Sequence, residues 1–430
     1  METATLNNGL KILYEKRSGS LTSFCIGFQA GAEAEMGFNL GTAHALEHML
    51  FKGTKSRKEN EINNEIDSIF GFSNAMTNYP YTIYYGTCRS TDFPSAAELY
   101  SDIIMNPLLK DSDFQEERKV ILQELKDWRE DVDQQCEDVL FYNAFNNKRI
   151  KELIIGTEDS IGRITVEELI KFYNRFYNPD NCVISIVSSL PFTDAASIIK
   201  NLFEPWEKRY ECSENGSIKD SEDSDIIKSG TYIKEENGLQ GSRIKYIFDI
   251  SMLNEEEVYA LNIFNEYFGN GVSSLLYDEV RTKGSMAYEV FSSVKAEKGI
   301  ELFCISLNTS IENCKRAIET VDSLIKNIAE SKELNITIEK YKGRYSLKKA
   351  LEIERTIVLA NRLVTYEIMY GDSERLYKEI NGSYNTDKDM VSKTVKRILK
   401  SPAIQILMSG MSGARHLTSD KIIVECEEDA

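Results

Sequence analysis

The chain has 430 residues, of which 42% are hydrophobic and 28% are charged; these values are typical of a globular protein and exclude collagen, a disordered chain and a mini-protein. Aspartate and glutamate outnumber lysine and arginine by 69 to 51, so the net charge is -18 and nucleic acid and anionic membranes are unfavourable partners. At about 100 to 200 residues per domain, this length predicts two to four domains.

The first half of the chain alternates short apolar runs with amphipathic stretches. Turn residues such as Asn7-Asn8-Gly9 separate these runs, and no glycine-rich nucleotide loop interrupts them. The pattern predicts, in chain order, strands at 10–15 and 21–29, helices at 41–51 and 58–70, a strand at 81–88, helices at 91–104, 111–145 and 166–176, and a strand at 182–187. The fold class that follows is α+β.

A polar, acidic segment at 207–230 predicts an interdomain linker between an N-terminal domain at 1–206 and a C-terminal domain at 231–430. The second half loosely repeats the first, because a helical stretch that begins near Tyr384 leads through a Pro-bearing turn into the apolar strand 404–408. We therefore expect two similar α/β-sandwich domains.

Eight cysteines are scattered without a Cys-x-x-Cys pair, and several lie in apolar runs such as the one that begins at Cys182. This usage predicts reduced, buried thiols rather than disulfides. The N-terminus has neither a secretory nor an organelle-targeting pattern, and no stretch approaches the ~20 apolar residues that cross a bilayer. The sequence predicts a cytoplasmic protein without a membrane segment.

Only three histidines occur in the chain, and two of them form the pattern His44-x-x-Glu47-His48 within helix-compatible residues. Positions i, i+3 and i+4 share one helix face, so both imidazoles can bind one metal ion while the carboxylate lies beside a metal-bound water. The alternative is a pair of surface histidines, but a chance match of this kind is on the order of 10⁻³. His416 has no motif around it and is predicted to be solvated.

A hydrolytic zinc site needs a third protein ligand. Glu117 and Glu124 lie two turns apart on the predicted helix 111–145, near a stripe that contains Val120, Ile121 and Trp128. Carboxylates on an apolar face are costly unless they are paired or bind a metal. Spacing alone leaves two interpretations of Glu124, a ligand or one of many acidic surface residues.

The zinc-motif segment 44–54, HALEHMLFKGT, resembles the pitrilysin or insulin-degrading-enzyme family of inverted-motif zinc peptidases. The length resembles the short, mitochondrial-processing-peptidase-like branch, and the resemblance covers nearly the whole chain. It implies one Zn²⁺ per chain, bound by His44, His48 and Glu124, with Glu117 supporting the ligands. It also implies the fold of the LuxS-like and processing-peptidase-like metalloenzymes, with each chain forming half of a dimeric clamshell.

Two further segments match the family. Asn74, Ala75, Met76 and Thr77 resemble its edge strand, with which substrate peptides pair. The segment 268–281 resembles its glycine-serine stretch, which precedes a catalytic arginine; the resemblance implies that role for Arg281, and a partner role for Tyr288. Without the family, an ordinary edge strand and an ordinary surface or core Arg and Tyr are the alternatives.

The implied function is zinc-dependent hydrolysis of short or unfolded peptides inside a closed chamber, with Glu47 as general base and with Arg281 and Tyr288 as donors to the substrate oxygen. Because one chain carries both the zinc motif and the Arg/Tyr pair, we expect a homodimer; a heterodimer with a related subunit is the alternative. Two other functions stay open: a catalytically silent peptide-binding or scaffold subunit, and a protease dedicated to removing the leader of one precursor.

Overall fold

The computed structural model describes residues 1–209, 227–236 and 238–409. Most of the predicted linker 207–230 lies outside these residues, as do Cys212, Cys426 and His416. The other six cysteines are free and buried. Within the described ranges, no helix is both long and apolar enough to cross a membrane.

Eleven strands and fourteen α-helices make up the described chain. The strands are β1 Glu2–Thr5, β2 Lys11–Lys16, β3 Leu21–Phe28, β4 Phe70–Thr77, β5 Thr82–Arg89, β6 Cys182–Ser188, β7 Gly230–Glu235, β8 Ser242–Asp249, β9 Ala287–Glu297, β10 Ile300–Thr309 and β11 Ala403–Met408. The helices are α1 Thr42–Leu50, α2 Glu59–Ile69, α3 Phe93–Met105, α4 Asp111–Glu130, α5 Val132–Ala144, α6 Glu158–Arg163, α7 Val166–Phe176, α8 Phe192–Phe203, α9 Glu255–Phe268, α10 Ile311–Glu330, α11 Ile338–Glu352, α12 Thr356–Tyr370, α13 Arg375–Ile380 and α14 Lys388–Ile398.

The first compact unit contains 1–127, 153–209 and 350–377 of the described residues. Its six-stranded sheet has the order β1-β2-β6-β3-β5-β4, in which β2 and β6 are parallel and all other pairs are antiparallel. Alternate residues of β3, including Phe24, Ile26 and Phe28, point to one face and pack with apolar side chains of α1, α3, α7 and α8.

The opposite face of this sheet is covered by α12, a helix from the second half of the sequence. Small side chains make the close approach possible: a Cβ on Gly27 would lie 2.3 Å from Val364 Cγ1. Two hydroxyls fix the helix in place, since Ser23 Oγ lies 2.7 Å from Thr356 Oγ1 and Ser185 Oγ donates to the Ala360 carbonyl at 2.6 Å. The central strands β3, β5 and β6 are therefore largely buried on both faces.

The second compact unit contains 128–152, 227–349 and 378–409 of the described residues. Its sheet has the order β7-β11-β8-β10-β9, with β7 and β11 parallel and the rest antiparallel. Apart from β1, this repeats the first sheet strand for strand. One face packs on α9, α10 and α14, and the other is covered by α5, a helix from the first half of the sequence.

Two similar mixed α/β domains are thus confirmed, and most predicted elements lie where the pattern placed them. The single helix predicted at 111–145 is wrong. It is two helices, α4 and α5, separated at Asp131, whose side chain accepts from the backbone N–H groups of Asp133 and Gln134 and begins α5. The compact units also differ from the predicted ranges 1–206 and 231–430, because α5 and α12 each pack in the unit formed mainly by the other half.

Candidate metal centre

The position of α1 is fixed at its N-terminus. Gly41 has a φ of 89°, and a Cβ there would lie 2.4 Å from the Ile155 carbonyl oxygen, so this turn requires glycine. The buried carboxylate of Glu35 accepts from the backbone N–H groups of Gly41 at 3.2 Å and Ala43 at 2.9 Å. These bonds satisfy N–H groups that have no partner inside the helix, and they stabilise its first turn.

The apolar face of α1 directs its polar residues toward one cleft. Leu46, Met49 and Leu50 are fully buried in the first core. His44 and His48 lie on the other face, one turn apart, and their Nε2 atoms are 3.3 Å from each other. The spacing of the sequence motif therefore gives the expected arrangement of two imidazoles.

Glu124 approaches both imidazoles from α4. Its Oε2 atom lies 3.3 Å from His48 Nε2 and 3.7 Å from His44 Nε2. The three ligand atoms all lie within 4.8 Å of one another, and this is the one group of three or more such residues among the residues described. Two histidines and a carboxylate form a donor set typical of catalytic zinc.

The distances among these donors match a metal site. With zinc–ligand distances of about 2.0 to 2.1 Å and tetrahedral angles, two ligand atoms are separated by about 3.3 Å. The two imidazole nitrogens and the His48–Glu124 pair have this separation. Two neutral imidazole lone pairs repel at such a distance unless a cation or a proton lies between them. The residues present therefore fit a zinc ion.

Glu117 lies behind His48, on the side away from the other donors. Its Oε1 atom is 2.8 Å from His48 Nδ1 and its Oε2 atom is 2.9 Å from Lys52 Nζ. A carboxylate bound to Nδ1 fixes the imidazole orientation and leaves Nε2 with a free lone pair, an arrangement typical of metal-binding histidines. Lys52 also contacts Glu59 at 2.7 Å and so continues the polar cluster.

The electrostatic environment shifts the pKa values of the two histidines in opposite directions. Burial, and then the neighbouring His48, lower the pKa of His44 to about 4. Burial also opposes a charge on His48, but hydrogen bonds with Glu117 and Glu124 outweigh it and raise the pKa of His48 to about 9. The hydrogen bond with His48 in turn holds the pKa values of Glu117 and Glu124 below their ordinary values. Carboxylates therefore stabilise positive charge at this centre.

Glu47 lies on the same face of α1, beside the imidazoles. Its Oε2 atom accepts from the Thr77 hydroxyl at 2.5 Å. Burial raises the pKa of Glu47 although the hydrogen bond from Thr77 lowers it. Glu47 and His48 line a cleft of about 330 Å³, and Ser73, Asn74 and Ala75 of β4 form part of its wall.

The predicted peptide-binding segment lies on β4, the edge strand of the first sheet. One side of β4 pairs with β5, and no other described strand pairs with its outer side. Asn74 and Met76 are exposed, whereas Ala75 and Thr77 are half-buried against α1. The outer backbone N–H and C=O groups of β4 are thus available to an added strand.

Arg281 and Tyr288 belong to the second unit. Arg281 lies in a π-helical segment, Tyr277–Lys283, and its guanidinium is 4.9 Å from the centre of the Tyr277 ring. Tyr288 is 74% exposed at a bulge of the edge strand β9, where it has no cross-strand partner. Between them Ser285 adopts a φ of 50°, an unusual conformation for a residue with a side chain. Bulges of this kind often direct a side chain outward near functional sites.

The structure thus brings five predicted residues together: His44, Glu47, His48, Glu117 and Glu124. Two residues of the site were not predicted from the sequence: Glu35, which caps α1, and Lys52, which neutralises Glu117. An acidic residue shortly before a helix is a recognisable signal for the first of these. Only the tertiary structure could identify the partner of Lys52.

Comparison with known proteins assigns the chain to a family. Residues 11–158 match the family model described as "Insulinase (Peptidase family M16)", and residues 163–341 match the one described as "Peptidase M16 inactive domain". The chain belongs to peptidase family M16. The cluster of His44, His48 and Glu124 lies in the first of the two matches, the half of the chain in which the resemblance to inverted-motif zinc peptidases predicted it.

Several relatives support this M16 assignment. An uncharacterized zinc protease of Streptomyces coelicolor is 25% identical over 94% of this chain and 88% of its own length. An uncharacterized zinc protease of Bacillus subtilis is 26% identical over 88% of this chain and 90% of its own length. Mitochondrial-processing peptidase subunit beta from Rattus norvegicus is 30% identical, over 46% of this chain and 41% of that protein.

Solved structures support the M16 fold. A protease from Helicobacter pylori superimposes with a TM-score of 0.83 at 19% identity, covering 94% of this chain and 98% of that one. An M16-like peptidase from Alicyclobacillus acidocaldarius gives a TM-score of 0.79 at 15% identity, covering 95% and 98%. At these identities the likeness is one of fold.

Proposed function

We propose that this M16 chain is a zinc-dependent endopeptidase. The observation that carries the proposal is the donor set of His44, His48 and Glu124, with Glu47 in the adjoining cleft. The names of the Streptomyces and Bacillus relatives support it, since both are called zinc proteases. The description "inactive domain" applies to 163–341, a match that does not include this donor set.

His44, His48 and Glu124 would hold one Zn²⁺ per chain. Zinc, when bound, acidifies a water molecule and polarises the scissile carbonyl. Glu47 takes a proton from the attacking water at its carboxylate and then delivers it to the leaving amine. A carboxylate suits both steps, because a base that is too weak cannot take the proton and one that is too strong cannot release it. The Thr77 hydroxyl holds this carboxylate in one orientation.

A peptide substrate would pair with the free outer side of β4, so that its backbone passes the cleft beside Glu47. Such pairing requires an extended segment, which favours short or unfolded peptides over folded domains. Arg281 and Tyr288 would donate hydrogen bonds to the substrate oxygen as negative charge develops on it. We propose that the chain forms a homodimer that encloses the substrate, and that Arg281 and Tyr288 act across its interface. We also propose that the enzyme works in the cytoplasm.

The central test is Glu47→Gln, which keeps the shape of the side chain and its hydrogen bond to Thr77 but removes the base. We expect unchanged zinc content and a loss of peptide cleavage of at least about 10²-fold. The measurement is hydrolysis of an unfolded peptide mixture by mass spectrometry, with metal content determined on the same samples. Glu116→Gln, an exposed substitution on α4, is the matched control. Normal turnover by Glu47→Gln would disprove the proposal.

A further inference from the structure

A buried carboxylate in the second unit gathers two basic side chains beneath the loop 269–274. Glu266 on α9 is 1% exposed. Its Oε2 atom lies 2.8 Å from Arg344 Nε and 2.8 Å from Lys348 Nζ, both on α11, and Asn270 Nδ2 donates to its Oε1 atom at 2.7 Å. A buried charge is costly unless it is paired, so this cluster fixes the basic side chains of α11 at the base of the loop.

Arg344 extends this pairing to the loop itself. Its Nη2 group donates to the Asn270 carbonyl, and its Nη1 group lies 3.3 Å from Ser273 Oγ. Gly271, between these contacts, has a φ of 125°, and a Cβ there would lie 1.7 Å from Arg344 Nη2. The guanidinium therefore occupies the space that a side chain at position 271 would fill, and its planar fork bridges both ends of the turn.

The loop leads directly into the segment that carries Arg281. The Ser274 N–H donates to the Gly271 carbonyl at 3.0 Å, and the Asp278 N–H donates to the Ser274 carbonyl at 3.0 Å. The first turn of this segment is therefore built on the part of the loop that Arg344 holds. A displacement of the loop would therefore move Tyr277, and with it the Arg281 guanidinium that lies over the Tyr277 ring.

The same loop also contacts the strand that carries Tyr288. The Ser292 N–H of β9 donates to the Gly269 carbonyl at 3.3 Å, and a Cβ on Gly269 would lie 2.1 Å from Ser292 Oγ. Ser292 Oγ in turn donates to Asn265 Oδ1 on α9 at 2.6 Å. The loop is thus attached on one side to β9 and on the other to Arg344.

We infer that Arg344, held by Glu266, is a positioning residue for Arg281. This inference rests on the proposed function, in which Arg281 donates to the substrate oxygen. Arg344 acts by holding the loop 269–274 in one conformation. Because the loop is already ordered before the substrate binds, no free energy of binding is needed to bring Arg281 into position.

The first test is a double-mutant cycle on peptide hydrolysis with Arg344→Ala, Arg281→Ala and the double variant. We expect Arg344→Ala to lower kcat about 10- to 100-fold with a smaller change in KM, because a small misplacement of a donor has this effect. Zinc content should stay at the wild-type level. The double variant should be no slower than Arg281→Ala alone, since Arg344 acts through Arg281. If the double variant instead lost activity by the product of the two single-variant losses, the two residues would act independently and the inference would be overturned.

A second variant guards against simple misfolding. Arg344→Lys keeps a cation beside Glu266 but cannot donate to Glu266, Asn270 and Ser273 at once. We expect its thermal midpoint to stay close to that of wild type while kcat remains at least 5-fold low; Lys340→Ala, an exposed change on α11, should leave both unchanged. Full activity of Arg344→Lys overturns this inference alone. Absence of cleavage by the wild-type chain overturns the proposed function, and this inference with it.

Discussion

Glu117 and Lys52 extend the polar cluster of α1 behind His48, on the side away from the cleft. Their contribution is indirect: Glu117 makes the imidazole a better ligand by accepting from its Nδ1 group, and Lys52 keeps Glu117 ionised. Both contacts are made by buried or half-buried side chains, where water weakens electrostatic attraction least. The orientation and charge of His48 therefore depend on residues outside the candidate donor set.

Glu117→Gln should consequently weaken zinc binding about 10- to 100-fold. The amide still accepts a hydrogen bond from His48, but it carries no charge to support the ring or to attract Lys52. Competition with a chromogenic chelator would measure the zinc affinity. Glu116→Gln changes a neighbouring exposed acid on the same helix and should have no effect. Equal affinity of Glu117→Gln and wild type would exclude the supporting role.

Local spacing was sufficient to predict the residues on α1, because His44, Glu47 and His48 lie on one face of a single helix. Glu124 is different, since it comes from another helix and its approach depends on how α4 packs; only the family resemblance singled it out. The role of Arg344 was not predicted at all, because its partners Glu266 and Asn270 are distant in sequence and no local pattern connects them.

The two helices α5 and α12 have the same task, each covering the outer face of one sheet. On the first sheet the fit depends on Gly27, because a side chain there would overlap Val364 and Ile368 of α12. On the second sheet the contact is partly ionic: Glu137 of α5 pairs with Lys245 of β8 at 3.0 Å and with Lys295 of β9. The stability of the α12 interface therefore depends on side-chain volume at position 27, and that of the α5 interface depends on pH.

Gly27→Ala should destabilise the first unit by roughly 1 to 3 kcal/mol, since a methyl group added to a close-packed interface forces its neighbours apart. Thermal unfolding with zinc removed from all samples would measure the change. Gly162→Ala is the matched control, because a Cβ at this helical position meets no atom within 4 Å. That control should be neutral or slightly stabilising. Equal unfolding midpoints for Gly27→Ala and wild type would contradict the close contact.

Glu137 gives the second helix a predicted pH dependence. Burial opposes its charge, but Lys295 and Lys245 outweigh burial and hold the pKa of Glu137 below its ordinary value of 4.5. Because the pKa is lower in the folded than in the unfolded chain, the stabilisation is present above about pH 4.5 and is lost as the pH falls through the folded-state pKa.

The contribution of the Glu137 charge to stability can be tested by denaturant unfolding of Glu137→Gln and wild type at a series of pH values. The variant should be less stable at pH 7, and the difference should shrink as the pH falls below about 4.5. Glu130→Gln, an exposed change just before α5, should follow wild type throughout. A difference that does not vary with pH would mean that the charge of Glu137 contributes nothing.

Apolar periodicity predicted most elements correctly but missed the break between α4 and α5. The acidic run around Glu130, Asp131 and Asp133 continues a helical composition, and only the side chain of Asp131, by capping α5, shows that a new helix begins. The exchange of α5 and α12 was likewise not predictable, because periodicity identifies a helix and its apolar face but not the sheet on which it packs.

At the scale of the whole molecule, each chain carries both the candidate zinc cluster and the Arg281/Tyr288 pair. If a homodimer builds each active site from both subunits, Glu47→Gln and Arg281→Ala should complement one another. Random pairing of equal amounts makes half of the dimers mixed, and each mixed dimer has one intact site of two, so about a quarter of wild-type activity should return. Co-expression of the two variants with different tags, followed by a cleavage assay, would measure this. An inactive mixture would place both functions of each site within one chain.

The placement of α12 also has a consequence for synthesis of the protein. The first unit carries the candidate zinc cluster on α1 and α4, yet the helix that covers its sheet ends only at Tyr370. A nascent chain cannot complete this unit until the residues through Tyr370 have left the ribosome. Premature termination before α12 would leave Gly27 and its neighbours on the sheet uncovered. An incomplete product would then expose an apolar sheet face, which favours aggregation and recognition by chaperones.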